Sequence, residues 1–222
     1  MEKELNFFEA FRLQLLEKAF PCVAARDALA KENIEIFVAD HLACPKDDAA
    51  ILQFLYSFVQ KFRTASKGFY SAVVLFPQTH SLTEQEYEQY LFNRLKSLRQ
   101  MDAKLYKYDE RVDSDPASEK FSFSLKEEAF FIIGLHPQSS RPARQFPHAA
   151  IVFNPHVQFE NLRAENKYEK MKQIVRTRDM QYSGSNNPML TDFGSRSEVY
   201  QYSGMHYAAN DKCPFQPQII IK

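Results

Sequence analysis

Apolar residues along this chain recur with two different periods, and the period switches several times. Leu5, Phe8, Phe11, Leu15, Leu16, Ala19 and Phe20 stand at helical spacing with charged and polar residues between them. That spacing predicts an amphipathic helix over residues 4–20. Pro21 cannot donate the next backbone hydrogen bond and interrupts it. A short second helix is expected from Cys22 to about Leu29. Ile34 to Val38 (IEIFV) reads as a strand, rich in β-branched and aromatic residues. Asp47 and Asp48, just after Pro45, stand where helix caps stand. Ile51, Leu52, Leu55, Phe58, Val59 and Phe62 then continue a helical stripe. Phe69 to Phe76 is an apolar run of strand length, closed by Pro77.

Thr83 followed by Glu86 resembles a capping box. It opens a charged helix to about residue 100, with Tyr87, Tyr90, Leu91, Leu95 and Leu98 on one face. Residues 109–120 are a polar, turn-rich connector. Phe121 to Leu125 alternates as a half-buried strand does, and Ala129 to Leu135 reads as a buried strand. Lys126-Glu127-Glu128 between them suggests a hairpin. Ala149 to Phe153 is a further strand. Gln158 to Met180 reads as one long charged helix with Phe159, Leu162, Tyr168, Met171 and Ile174 as its apolar positions. From Gln181 to Phe215 the pattern stops, and a loop that long inside a compact domain is usually functional or disordered. The simplest architecture is a single α+β domain spanning residues 1–222, with a central sheet flanked by helices and a long C-terminal loop region.

Composition narrows the functional classes. Lys+Arg and Asp+Glu number 28 each, and no run of five like charges occurs, so the basic excess of a non-specific nucleic-acid binder is missing. Only 5 glycines occur, which nearly excludes a Gly-rich phosphate loop. The signatures G-x-G-x-x-G, Walker A, H-E-x-x-H and G-x-S-x-G are absent. Cys22, Cys44 and Cys213 are odd in number and widely spaced, which is neither a disulfide framework nor a C-x-x-C. No signal-peptide core opens the chain, and no apolar run reaches the roughly 18 residues of a membrane helix. These features read as a cytoplasmic protein with reduced thiols and no membrane or nucleic-acid partner. The 20 Phe and 11 Tyr suit a plain core as well as the walls of a flat apolar ligand site.

The informative block is residues 134–163, with His136, His148, His156, Arg141, Arg144 and Arg163. His136 and His156 each lie just past the end of a strand, and His41 follows the early strand by three residues. Parallel strands would bring these imidazoles to one sheet edge, where ligands bind in open α/β structures. Antiparallel neighbours would put them at opposite edges. A histidine at a strand end also commonly bonds a carbonyl or caps a helix; the alternative is ligation of a metal or heme iron. Arg141 and Arg144 form a candidate anion clamp, since guanidinium groups pair bidentately with carboxylates. A second cluster holds Arg176, Arg178 and Asp179, then Asp192, Glu198 and Tyr202. Cys22, Cys213 and His206 are further candidate iron ligands.

The stretches FPCVAAR (20–26), FSFSL (121–125), FFIIGLHPQSSRPARQF (130–146) and IVFNPHVQFENLR (151–163) resemble the YqcI/YcgG family, which includes heme-dependent pre-guanitoxin N-hydroxylases. YEKMKQIVRTRD (168–179), NPMLTDFG (187–194), QYSG (201–204) and KCPF (212–215) extend the resemblance over roughly residues 20–215. Each piece alone is weak; their joint order carries the likeness. The resemblance implies a heme b enzyme, a monooxygenase that hydroxylates a guanidine nitrogen with O2 and an external electron donor. On that reading His41, His136 or His156 is a candidate proximal ligand, with Cys22 as a thiolate alternative. Arg141 and Arg144 are candidates for the propionates, and Asp192 and Glu198 for the carboxylate that meets a guanidinium substrate. The alternatives are a non-heme iron oxygenase using two His and a carboxylate such as Glu160, and a heme carrier or sensor without turnover.

Overall fold

Strand pairing decides the architecture. In the computed structural model, which describes residues 2–79, 82–187, 189, 193–208 and 211–215, five strands form one mixed sheet. They are β1 (Ile34–Val38), β2 (Ser71–Phe76), β3 (Phe123–Leu125), β4 (Glu128–Leu135) and β5 (Ala149–Pro155), in the spatial order β1-β2-β5-β4-β3. Only β1 and β2 are parallel; β2 with β5, β5 with β4 and β4 with β3 are antiparallel. Seven helices accompany them among the described residues: α1 (Glu2–Leu16), α2 (Val23–Ala30), α3 (Asp48–Thr64), α4 (Glu84–Asp102), α5 (Val157–Ala164), α6 (Tyr168–Ser183) and α7 (Val199–Tyr202). The chain is α+β.

The period-2 alternation of the strands divides the core in two. Ala72, Val74 and Phe76 of β2, with Ile151 and Phe153 of β5 and Phe130 and Ile132 of β4, pack against α3 and α4. Val73, Leu75, Ala150, Val152 and Leu135 face the other way, toward Phe11 and Leu15 of α1 and Ala28 of α2. Phe76, Phe130 and Phe153 are fully buried, each contributing roughly 1.5–3 kcal/mol of transfer free energy. Two positions expected inside α1 face solvent instead: Phe8 and Leu16 are exposed, as is Ile174 on α6.

Local chemistry explains the element ends. The capping box at α4 forms as expected: Thr83 Oγ1 accepts from the Glu86 N–H at 3.2 Å, and Glu86 Oε2 accepts from the Thr83 N–H at 2.9 Å. Asp47 makes no cap bond to α3; its carboxylate accepts from the Asp40 N–H at 2.8 Å. Asp48 lies inside α3, buried and ion-paired to Arg94. The β3–β4 hairpin turns on Lys126 (φ 51°) and Glu127 (φ 57°), a two-residue turn with both centres left-handed. Arg63 holds it by donating to the carbonyls of Lys126 at 2.8 Å and Glu127 at 2.9 Å.

The long helix expected over 158–180 is two helices. Asn166 adopts φ 56°, its N–H donates to the Arg163 carbonyl at 3.0 Å, and the Lys167 N–H donates to the Leu162 carbonyl at 2.9 Å. This pair of bonds is a Schellman closure, with asparagine in the left-handed position that usually takes glycine. It frees α6 to lie across the sheet face that α1 and α2 also cover. Among the described residues no helix is long and apolar enough to cross a membrane.

Candidate functional site

The face covered by α1, α2 and α6 is not completely filled. A cavity of about 230 Å³, open to solvent at its rim, lies between the sheet and these helices. Its floor comes from alternate residues of two antiparallel strands, Phe131, Ile133 and Leu135 of β4 with Val152 and Asn154 of β5. Phe11 and Leu15 of α1, Phe20 and Cys22 before α2, and Met171 and Val175 of α6 form the opposite wall. Most of that lining is hydrocarbon or ring, so each charged group on it stands in a setting of low polarity.

His156 continues the alternation of β5. Its backbone N–H donates to the Ala129 carbonyl at 2.8 Å, which holds the residue against the start of β4. The imidazole is buried and packs on Phe193 with ring centres 4.5 Å apart. Its Nε2 lies 3.3 Å from Oε1 of Glu198 and 3.8 Å from Oε1 of Glu160, one turn along α5. Glu198 is 5% exposed and lines the cavity at the start of α7. Its second oxygen, Oε2, is buried with no hydrogen-bond partner among the described residues. A buried carboxylate oxygen left unpaired is costly. Asp192, the other carboxylate expected to meet substrate, lies outside the described residues.

Cys22 is the N-cap of α2, where its Sγ accepts from the Ala25 N–H at 3.4 Å. Burial pushes its thiol up from the ordinary range, while the Ala25 and Ala24 amides and Arg144 pull the other way. Arg178 of α6 donates to the Phe20 carbonyl at 3.2 Å and to the Lys18 carbonyl, fixing the turn that presents Cys22. Arg144 is buried on the same wall, and desolvation lowers its pKa to about 10. It donates to the backbone carbonyls of Gly134 at 3.2 Å, Gln201 at 3.0 Å and Tyr202 at 3.4 Å. Arg141 is ion-paired with Asp179 and donates to the Ser185 carbonyl at 2.8 Å. Asp179 also accepts from Ser183 Oγ at 3.1 Å and the Asn187 N–H at 3.1 Å. Arg141 and Arg144 share the cavity wall, but Arg141 is locked to α6 and Arg144 to α7.

The strand directions separate the histidines. His136 leaves β4 at one sheet edge, whereas His156 follows β5 at the other; at about 3.3 Å per residue the strand pair between them spans roughly 20 Å. His41 is at the same edge as His136 but three strand spacings away, roughly 14 Å. Its Nδ1 accepts from the Ala43 N–H at 3.1 Å. His136 is 1% exposed, stacked on Tyr87 at 4.2 Å, and is not among the residues lining the cavity. Of these three, only His156 reaches the cavity, so a two-histidine set with Glu160 does not assemble there. Among the described residues no group of three or more His, Cys, Asp or Glu is arranged to hold a metal ion. Cys213 is also elsewhere, donating toward the Pro116 and Phe215 carbonyls.

The block that carries this site is also what a family comparison detects. Residues 11–216 match the family model described as the YqcI/YcgG family. The chain belongs to that family. Neither curated proteins nor solved structures gave a match. The matched region begins inside α1 and runs past α7, so it contains every element of the cavity in this YqcI/YcgG protein. Asn154 was not expected at the site, because the strand reading stopped at Phe153. In the YqcI/YcgG chain β5 runs on to Pro155, and Asn154 accepts from Ser71 Oγ at 2.7 Å and donates to the Phe131 carbonyl at 3.2 Å. A polar residue two before His156 was the available signal.

Proposed function

We propose that this YqcI/YcgG protein is a heme b-dependent monooxygenase that hydroxylates a guanidine nitrogen of a small cationic substrate. The observation that carries the substrate part is Glu198, a buried carboxylate that lines an apolar cavity, with one oxygen beside His156 and the other buried without a hydrogen-bond partner among the described residues. A guanidinium group supplies what that oxygen lacks, a planar array of N–H donors carrying positive charge. The resemblance to heme-dependent N-hydroxylases supports the choice of cofactor.

Two residues of the cavity are candidates to hold such a cofactor. Cys22 offers a sulfur ligand on an apolar wall, where burial holds the thiol above its ordinary range and the amides of α2 and Arg144 offset this only in part. Arg144, whose hydrogen bonds among the described residues all go to backbone carbonyls, offers charge for a propionate. When bound, heme supplies the activation of O2 with electrons from an external donor. The chain's own residues do the rest. Glu198 orients the guanidinium and neutralises its charge. Phe131, Phe159 and Phe193 exclude water from that end of the cavity. His156 holds Glu198 in place and fixes which of its oxygens faces the ligand.

The test is an absorption spectrum of protein expressed with a heme supply, followed by titration with an alkylguanidine. A Soret band that shifts on titration is expected. Glu198→Gln should keep the band and weaken the guanidine by about tenfold or more, the worth of a charge-assisted hydrogen bond. Absence of the band, or unchanged guanidine affinity in the variant, would defeat the reading.

A further inference from the structure

His156 has one nitrogen, Nε2, facing two carboxylates of different exposure. Glu198, on the inner side, has a side chain 7% exposed. Glu160, on the outer side, is 45% exposed and held by Arg163 one turn along α5. The imidazole between them is 7% exposed. The separations are 3.3 Å on the inner side and 3.8 Å on the outer, the latter closed by a side-chain turn or one intervening water. The remaining charged groups on this part of the wall are Arg163 and Lys172, both cationic. The row therefore runs from a buried carboxylate that lines the cavity to a solvated one.

We infer that Glu198, His156 and Glu160 form a proton relay between the cavity and solvent. The inference rests on the reading that Glu198 meets the substrate. The steps balance without any redox partner. A substrate N–H gives its proton to Glu198 and keeps the electron pair on nitrogen. Glu198 returns to carboxylate by protonating Nε2 of His156, making an imidazolium. The imidazolium returns to neutral by giving the same proton to Glu160, which releases it to water. Glu198 touches substrate; His156 and Glu160 act through it. Arg163 keeps Glu160 turned toward the row.

Proton NMR on the full chain labelled with nitrogen-15 histidine tests this without turnover. With His156 protonated at lowered pH, its Nε2–H should give a downfield resonance that Glu198→Gln displaces. Its exchange with water should slow by about tenfold or more in Glu160→Gln, and stay at the wild-type rate in the surface control Glu165→Gln. No such resonance in wild type, or an unaltered exchange rate in Glu160→Gln, overturns the relay. With heme-loaded protein and an alkylguanidine, Glu160→Gln should lower kcat with KM nearly unchanged, and added formate should restore it. A loss that formate does not restore overturns the relay as well. The two readings fail separately. Slowed exchange with no hydroxylated product sinks the proposed activity alone, whereas product formation with unaltered exchange sinks the relay alone.

Discussion

Replacing His136 by Phe should remove a large part of the protein's sensitivity to acid. The imidazole is 1% exposed, lies flat on Tyr87, and neither ring nitrogen has a hydrogen-bond partner among the described residues. Loss of hydration lowers its pKa from 6.5 to about 4; the Arg144 charge pushes the same way and Glu84 opposes it. In the unfolded chain the same residue takes a proton near 6.5. Between those values the unfolded state binds more protons, so stability falls as pH falls. The contribution is whole above about pH 6.5 and is lost progressively down to about 4. At about 1.36 kcal/mol per pH unit the full loss is about 3 kcal/mol. Phenylalanine keeps the stacking on Tyr87 and removes two unbonded nitrogens, so the variant should equal or exceed wild type at pH 7.5. Urea unfolding at pH 7.5, 6.0, 5.0 and 4.5 measures the gap between the two proteins, and carboxylates titrating in both cancel. The gap should widen by roughly 2–3 kcal/mol toward pH 4.5. A constant gap would show that His136 is hydrated or bonded, and the burial argument would fall.

Gly134→Ala should destabilise by about 1–3 kcal/mol, because a Cβ there would meet Tyr87 Oη at 2.7 Å and the Tyr202 backbone oxygen at 2.9 Å; thermal unfolding reads the loss. Glu127→Gly should raise stability by about 1 kcal/mol, since it relieves a left-handed centre at φ 57° on an exposed turn, and an unchanged urea midpoint would refute it. Thr83→Ala should cost about 1 kcal/mol by opening the α4 capping box, and the loss should show in urea unfolding with an unchanged m-value. Cys22→Ser should leave the fold intact by circular dichroism but abolish or shift the Soret band of heme-supplied protein; an unaltered band would remove Cys22 from the proposed ligand set.

Much of the fold was legible because its signals are local. The FYSAVVLF and AFFIIGL runs announced the central strands, and Thr83 with Glu86 announced α4 to the residue. The single helix over 158–180 failed because Asn166, rather than glycine, closes α5, and an asparagine among charged residues does not interrupt an apolar stripe. Asp47 and Asp48 suggested a cap, but their partners, Asp40 and Arg94, arrive from elsewhere in the chain. The same limit governed the site. His41, His136 and His156 all follow strands, and only the antiparallel pairing of β4 with β5 separates His136 from His156. Glu198 emerged from a patternless stretch as one of two carboxylates, whereas its approach to His156, 42 positions earlier in the chain, depends on tertiary packing.

The fastening of the Lys18–Cys22 turn by Arg178 links segments 158 and 160 residues apart. During synthesis the first two helices leave the ribosome long before the helix that clasps them. Until then, one side of the growing sheet has only part of its cover. The chamber can therefore be walled on that side only after α6 has been made.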